Sequence, residues 1–257
     1  MVKYIKSGIR EQDGQYIADY TYNLPEDIIN IQPPQLYKSE HGNNVYWFGY
    51  KFNDDVPTQQ KTNFIRSIKG LSDNPMPDEE LQRLIELPLA ELDERINLYD
   101  IDCFVYPLSG RSQLVNKMVS TINKWTSRDM SRASFELVKS VPTEIEFDWE
   151  LFDSEHGFDK KSHRQMSEYI KNELMPKIAK LDYFSLAQSV KPKYRKYIKN
   201  YLSFSAESAE KISKLQGANI LVVDDINTSG STLEEILRIL GKLNHSCNIY
   251  IYTLIGN

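Results

Sequence analysis

The 257-residue chain holds only two cysteines, Cys103 and Cys247, far apart and each inside an apolar, strand-like run. Two such residues cannot build a disulfide framework, and buried structural thiols are the expectation. The four histidines (His41, His156, His163 and His245) show no metal-ligand spacing with either cysteine. Missing too is any run near the roughly 20 apolar residues that cross a bilayer. The first residues, MVKYIKSGIREQDG, lack the apolar stretch of a signal peptide. No membrane and a reducing cytoplasm are therefore expected. There is no excess of positive charge, since 31 Lys+Arg against 36 Asp+Glu leave −5. That argues against a protein whose main work is coating duplex nucleic acid, although a local basic patch can still contact it. What is present, 40% hydrophobic and 26% charged residues, is the balance of a folded globular chain.

The order of patterns predicts an N-terminal α+β module over residues 1–95 and an α/β core over 96–257. Gln15–Asn23 and Val45–Phe52 are rich in aromatics and bounded by turn residues, as short strands of an antiparallel sheet are. The Pro-rich Gln32–Gln35 separates them. Helices are expected at Gln59–Ile68, with Phe64, Ile65 and Ile68 on one face, and at Asp78–Ile96, kinked or split by Pro88.

From Tyr99 onward, apolar strands alternate with amphipathic helices. Ile101–Pro107, Ser134–Val141, Ala218–Val223 and Asn248–Ile255 read as strands. Ser112–Trp125 and Ser231–Leu240 read as helices, the second stopped by Gly241. This is the signature of a mostly parallel sheet flanked by helices. Residues 142–214 interrupt it as a long, largely helical insertion, with Met166, Ile170, Leu174 and Ile178 at helical spacing.

The chemistry concentrates in Ile220–Thr232, ILVVDDINTSGST. A buried strand delivers Asp224 and Asp225 at its carboxyl end, where ligands bind in open α/β sheets. Thr228, Ser229, Gly230, Ser231 and Thr232 then supply hydroxyls, backbone N–H groups and a helix start suited to a phosphate monoester. Ser231 or Thr232 with Glu234 or Glu235 also fits an ordinary capping box. Capping leaves Asp224-Asp225 and the Thr-Ser-Gly run unexplained. A phosphate cradle beside carboxylates that accept hydrogen bonds from sugar hydroxyls describes a 5-phosphoribosyl group.

These thirteen residues resemble the phosphoribosyl-pyrophosphate signature of the type I phosphoribosyltransferases: four apolar residues, two acidic ones, and a Thr/Ser/Gly loop entering a helix. The resemblance implies that Asp224 and Asp225 hold the ribose 2′- and 3′-hydroxyls and, through the substrate, Mg²⁺, with no direct all-protein metal site. The Thr228–Thr232 loop would hold the 5′-phosphate. In this family a short loop after the first core strand holds pyrophosphate, and Ser109, Gly110 and Arg111 stand in that place, Arg111 being able to contact a diphosphate bidentately. At the loop position where purine-salvage members carry an acidic residue, this chain has Thr228, which argues against a hypoxanthine/guanine enzyme. Any hood over the acceptor must come from residues 1–95 or the insertion.

Lys139 and Arg195 are further candidates for a phosphate. Lys191, Lys193, Arg195, Lys196 and Lys199, interleaved with Tyr194, Tyr197 and Tyr201, are either a mobile catalytic or nucleic-acid-contacting segment, or a solvated face with tyrosines tucked inward. Glu144–Asp153 is either a docking segment for a protein partner or an edge strand. His156 and His163 read as surface residues. The expected function is a Mg²⁺-dependent transfer of phosphoribose from phosphoribosyl pyrophosphate to an acceptor, in a chain able to form a homo-oligomer. The alternatives are a non-catalytic nucleotide sensor of the same fold and a nucleotide- or RNA-directed effector of a defence or toxin system.

Overall fold

The computed structural model describes residues 8–12, 15–19, 29–31, 45–110, 112–126, 132–157, 161–227 and 230–256. Gln32–Gln35, His41, Arg111, Thr228 and Ser229, all singled out above, lie outside the described residues. So does the end of the strand expected at Gln15–Asn23.

Four strands open the chain: β1 (Gly8–Gln12), β2 (Gln15–Asp19), β3 (Ile29–Ile31) and β4 (Val45–Phe52). Three helices follow: α1 (Thr58–Ile68), α2 (Asp78–Glu86) and α3 (Leu89–Ile96). Next come β5 (Cys103–Pro107), α4 (Leu114–Trp125) and β6 (Ala133–Lys139). The insertion holds β7 (Glu146–Phe147), α5 (Trp149–His156), α6 (Lys161–Tyr169), α7 (Met175–Ala179) and α8 (Leu186–Ser189). It ends with β8 (Ile198–Lys199), β9 (Leu202–Phe204) and α9 (Ala206–Ser213). The chain then runs through β10 (Asn219–Ile226), α10 (Ser231–Leu243) and β11 (Asn248–Gly256).

Two compact units result. The first comprises Met1–Glu136, Lys214–Thr228 and Ser246–Asn257; the second comprises Leu137–Ser213 and Ser229–His245. In the first, the strands are ordered β2-β1-β3-β4-β11-β10-β5-β6. β4, β11, β10 and β5 run parallel, so the mostly parallel α/β sheet is as expected. One expectation is corrected: β4 pairs antiparallel with β3 but parallel with β11, so it continues the core sheet. Its near-unbroken apolar run, VYWFGYKF, suits a strand covered on both faces. At Gly49 a Cβ would meet Leu254 O and Pro88 Cγ, each at 3.0 Å, so only glycine allows this approach.

The apolar stripes are those the spacing predicts: Phe64 and Ile68 on α1, and Leu114, Val115, Met118, Val119 and Ile122 on α4, are buried with Leu221, Val223 and Tyr252. Pro88 does split the second helix, into α2 and α3. Lacking an N–H, it cannot donate to the carbonyl of Leu84; the Tyr50 hydroxyl donates there instead, at 2.9 Å. Cys103 is buried and free, and burial pushes its thiol up to about 12; Cys247 is free and half-buried.

The second unit is built largely from short pieces. β6 pairs antiparallel with β9, and β7 with β8. Its core is a cluster in which Phe152 contacts Phe147, Trp149, His156, His163 and Tyr197, all with centroids within 5.9 Å. α6 and α7 are joined by a π turn, Ile170–Leu174, immediately before Pro176, where the wider coil accommodates the missing donor. Ile170, Leu174 and Ile178 are buried, as their spacing predicts. α10 passes through Gly241 rather than stopping there. The stop is Asn244, whose N–H bonds Leu240 O and whose amide donates to Ile212 O at 2.9 Å. Among the described residues no helix is long and apolar enough to cross a membrane.

Candidate functional site

Two strands of the first unit set the site's frame. β10 and β5 are parallel neighbours in register Ile220↔Cys103 to Val222↔Val105. Continuing that register brings Asp224-Asp225 and the turn after Pro107 to the same, carboxyl, edge of the sheet. The order reverses here: the chain leaves β5 for its neighbour β6 on one side and leaves β10 for β11 on the other. Such a reversal opens the crevice in which α/β sheets take ligands. Ser109 and Gly110 form the turn, with the Ser112 N–H donating to Ser109 Oγ at 3.1 Å. Gly110 is exposed and a Cβ there would meet nothing within 4 Å.

Asp224 and Asp225 are both buried at the end of β10. Strand side chains alternate, so Asp225 shares the face of Leu221 and Val223 and Asp224 that of Ile220 and Val222. A group seated at the strand's carboxyl end is thus bracketed by one carboxylate from each face. The Asp225 N–H donates to Asp224 Oδ1 at 2.9 Å, and the Lys69 ammonium meets Asp225 Oδ2 at 2.8 Å. Burial, with the charge of Asp225 adding to it, pushes the Asp224 carboxyl up from 3.8 to about 8, against the opposing Asp225 N–H and Lys69. A carboxyl that keeps its proton near neutrality can donate as well as accept, which suits a sugar hydroxyl.

Lys69 is the residue that sequence reasoning missed. It caps the C-terminus of α1, 156 positions before its partner, and nothing in the local pattern marks it. Nearby, the Tyr106 hydroxyl donates to Glu136 Oε1 at 2.9 Å and is pushed up to about 12, chiefly by burial.

The second unit carries the remaining candidates. Gly230 opens α10 with φ +73°, a conformation glycine adopts without strain. The capping-box expectation is corrected: Gly230 itself is the N-cap and has no side chain to cap with. Ser231 and Thr232 therefore form the first turn of the helix, where their N–H groups point outward along its axis. The Tyr201 hydroxyl donates to Ser231 O at 2.7 Å. Lys139 Nζ lies 4.3 Å over the Tyr183 ring. Arg195 donates to Val190 O at 3.0 Å and Ala187 O at 2.8 Å, which fixes the turn before it.

Of the two readings of the basic, aromatic stretch, the inward-tucked one holds for Tyr194 and Tyr197, which are buried, with Lys193 and Lys196 over their rings. His163 is not a surface residue. It is buried and bonded to Asp153, because α6 turns it into the aromatic cluster. Among the described residues no group of three or more His, Cys, Asp or Glu is placed to hold a metal ion.

The parallel strands and the helices that flank them define an α/β protein, with Asp224 and Asp225 at the carboxyl end of β10. Residues 167–257 match the family model of the phosphoribosyl transferase domain, so the resemblance carried by ILVVDDINTSGST is borne out over that stretch. The match begins inside the segment expected to be an unmatched insertion and does not reach Ser109–Arg111. Among solved structures, a hypoxanthine phosphoribosyltransferase from Staphylococcus aureus is similar in two crystal forms. The tetragonal form is 13% identical, with TM-score 0.35 over 70% of this chain. The orthorhombic form is 12% identical, with TM-score 0.34 over 70%. The matches span 64% and 65% of those chains. No curated protein matches.

Proposed function

We propose that this protein binds 5-phosphoribosyl 1-pyrophosphate with Mg²⁺ and transfers the phosphoribosyl group to an acceptor, releasing pyrophosphate. The observation that carries the reading is the reversal of strand order between β5 and β10, with the Ser109–Gly110 turn and Asp224-Asp225 at one edge. The phosphoribosyl transferase domain match over 167–257 supports it independently.

Asp224 and Asp225 bracket the ribose and take its 2′- and 3′-hydroxyls, which orients the anomeric carbon. Lys69 holds Asp225 in place, so that its carboxylate does not have to be ordered when substrate arrives. Gly230, Ser231 and Thr232, with Thr228 and Ser229, supply N–H groups and hydroxyls for the 5′-phosphate at the start of α10. Ser109 and Gly110 offer backbone donors to the pyrophosphate, with the Arg111 guanidinium beside them in sequence. Mg²⁺, when bound, neutralises the diphosphate and makes it a better leaving group. The bond from the anomeric carbon to pyrophosphate breaks with its electron pair leaving on oxygen. The acceptor's lone pair forms the new bond and the acceptor releases its proton.

A second reading, a sensor that binds a ribose phosphate without turnover, uses the same carboxylate pair and phosphate loop, because binding alone needs the same residues. Pyrophosphate release separates the two. Incubated with phosphoribosyl pyrophosphate, Mg²⁺ and panels of bases, nucleosides and RNA, an enzyme releases pyrophosphate with one acceptor class and not with the Asp224→Ala/Asp225→Ala chain. Binding without release under every acceptor selects the sensor.

A further inference from the structure

The second unit contains a groove of about 620 Å³ that none of the chemistry above uses. Two helical segments wall it. α5 contributes Trp149 and Asp153, one turn apart. α6 and the π turn after it contribute His163, Ser167 and Lys171 on one stripe, with Arg164 and Glu168 alongside. The volume lies in the usual range of small-molecule sites.

Three features make this a built site rather than a gap between helices. The Trp149 ring is braced by Phe147 at 4.7 Å and Phe152 at 5.9 Å between centroids, so an aromatic surface is fixed before any ligand arrives. His163 Nε2 and Asp153 Oδ1 lie 2.6 Å apart, with His163 packed 5.2 Å from Phe152. Burying that pair costs desolvation that packing alone does not require. Ser167 Oγ is buried and has no hydrogen-bond partner among the described residues, a vacancy that a ligand's donor or acceptor would fill.

The distribution of charge selects the ligand. Arg164 and Lys171, both exposed, are seven residues apart, about 10 Å along a helical axis. Lys171 Nζ lies 4.8 Å over the Trp149 ring, so the aromatic surface and one cation share an end of the groove. Arg164 and the His163–Asp153 pair hold the other end, and Ser167 lies between. A matching ligand has a planar ring, a polar middle and an anion at the far end. We propose that this groove binds a nucleoside monophosphate. The base displaces the Lys171 ammonium and stacks on Trp149, with Glu168 accepting from its amino or ring N–H groups. The ribose passes Ser167, and the phosphate meets Arg164. Every base has a stacking face, so the groove selects the nucleotide class rather than one base. The site lies wholly within the second unit and is independent of the strand-edge chemistry.

Calorimetric titration of the full chain with AMP, GMP, UMP and CMP tests this, with adenosine and inorganic phosphate as separate arms. Saturable binding of at least one mononucleotide is expected, and it persists in the Asp224→Ala/Asp225→Ala chain. Trp149→Leu should weaken it about tenfold or more, the size of one lost base–aromatic stack. Arg164→Gln changes an exposed side chain, leaves the fold intact, and should weaken it severalfold, whereas Lys171→Gln removes the ammonium that the base must displace and should not weaken it. Adenosine should bind more weakly than AMP, and phosphate alone more weakly still. The proposal is overturned if no mononucleotide binds up to millimolar concentration. It also falls if Arg164→Gln leaves binding unchanged, or if adenosine binds as tightly as AMP.

Discussion

Two acid–base pairs, one in each unit, are assembled in opposite ways. Asp225 meets Lys69 across 156 positions of sequence, brought together by a parallel strand and the end of α1. Asp153 meets His163 across ten, brought together by two consecutive helices packed on Phe152. The first pair depends on the whole first unit's sheet. The second depends on a local aromatic cluster. Long-range pairing places chemistry at a sheet edge, whereas local pairing lets a small helical unit carry its own polar groups.

The largest effect that sharpens this contrast is expected from Phe152→Ala. Phe152 is fully buried and touches both histidines of the cluster, so its loss should cost about 3–5 kcal/mol. If the pairs are independent, denaturant unfolding will show the loss while the Lys69–Asp225 contact stays intact. A smaller cost, about 1–3 kcal/mol, should follow Lys69→Met, which leaves a largely buried Asp225 carboxylate without its counter-charge. In a double-mutant cycle with Asp225→Asn the two changes should be strongly non-additive. Additivity would mean the pair is not coupled.

The strand edge should also give the stability of the protein a pH dependence. Asp224 is raised in the folded state from 3.8 to about 8, first by burial and then by Asp225. The folded chain therefore holds this proton more tightly than the unfolded one. The resulting stability is fully present below about 3.8 and is lost as pH rises toward 8. Asp224→Asn should flatten that part of the stability–pH curve and make the protein the more stable of the two at pH 8. An unchanged slope between pH 4 and 8 would contradict the assignment. The smallest effect is expected at Lys196–Glu155, an exposed pair in the second unit. Lys196→Gln should cost less than about 1 kcal/mol by thermal unfolding.

The same contrast explains what could be read beforehand. β10, β11 and the stripe of α4 announce themselves because buried parallel strands and amphipathic helices have fixed periods, and Asp224-Asp225 follows directly from where β10 ends. Lys69 carried no local signal, since its role arises only when α1 is laid beside β10. His163 was misread because its neighbours Lys160 and Lys161 look solvated, whereas the orientation of α6 is set by Phe152 and Asp153. Gly241 looked like a stop, yet the helix ends at Asn244, where an amide reaches Ile212 O. The antiparallel reading of Val45–Phe52 holds toward β3 but not toward β11, because aromatic richness fits either pairing and β11 lies two hundred residues away.

The most direct measurement is calorimetric titration with phosphoribosyl pyrophosphate, with and without Mg²⁺, of the wild-type and Asp224→Ala/Asp225→Ala chains. The expected result is saturable, Mg²⁺-dependent binding to the wild type. It should weaken by about 100-fold or more in the double variant, whose circular dichroism is unchanged. Absence of binding to the wild type, or equal binding to both chains, would contradict the assignment of the strand edge to a phosphoribosyl group.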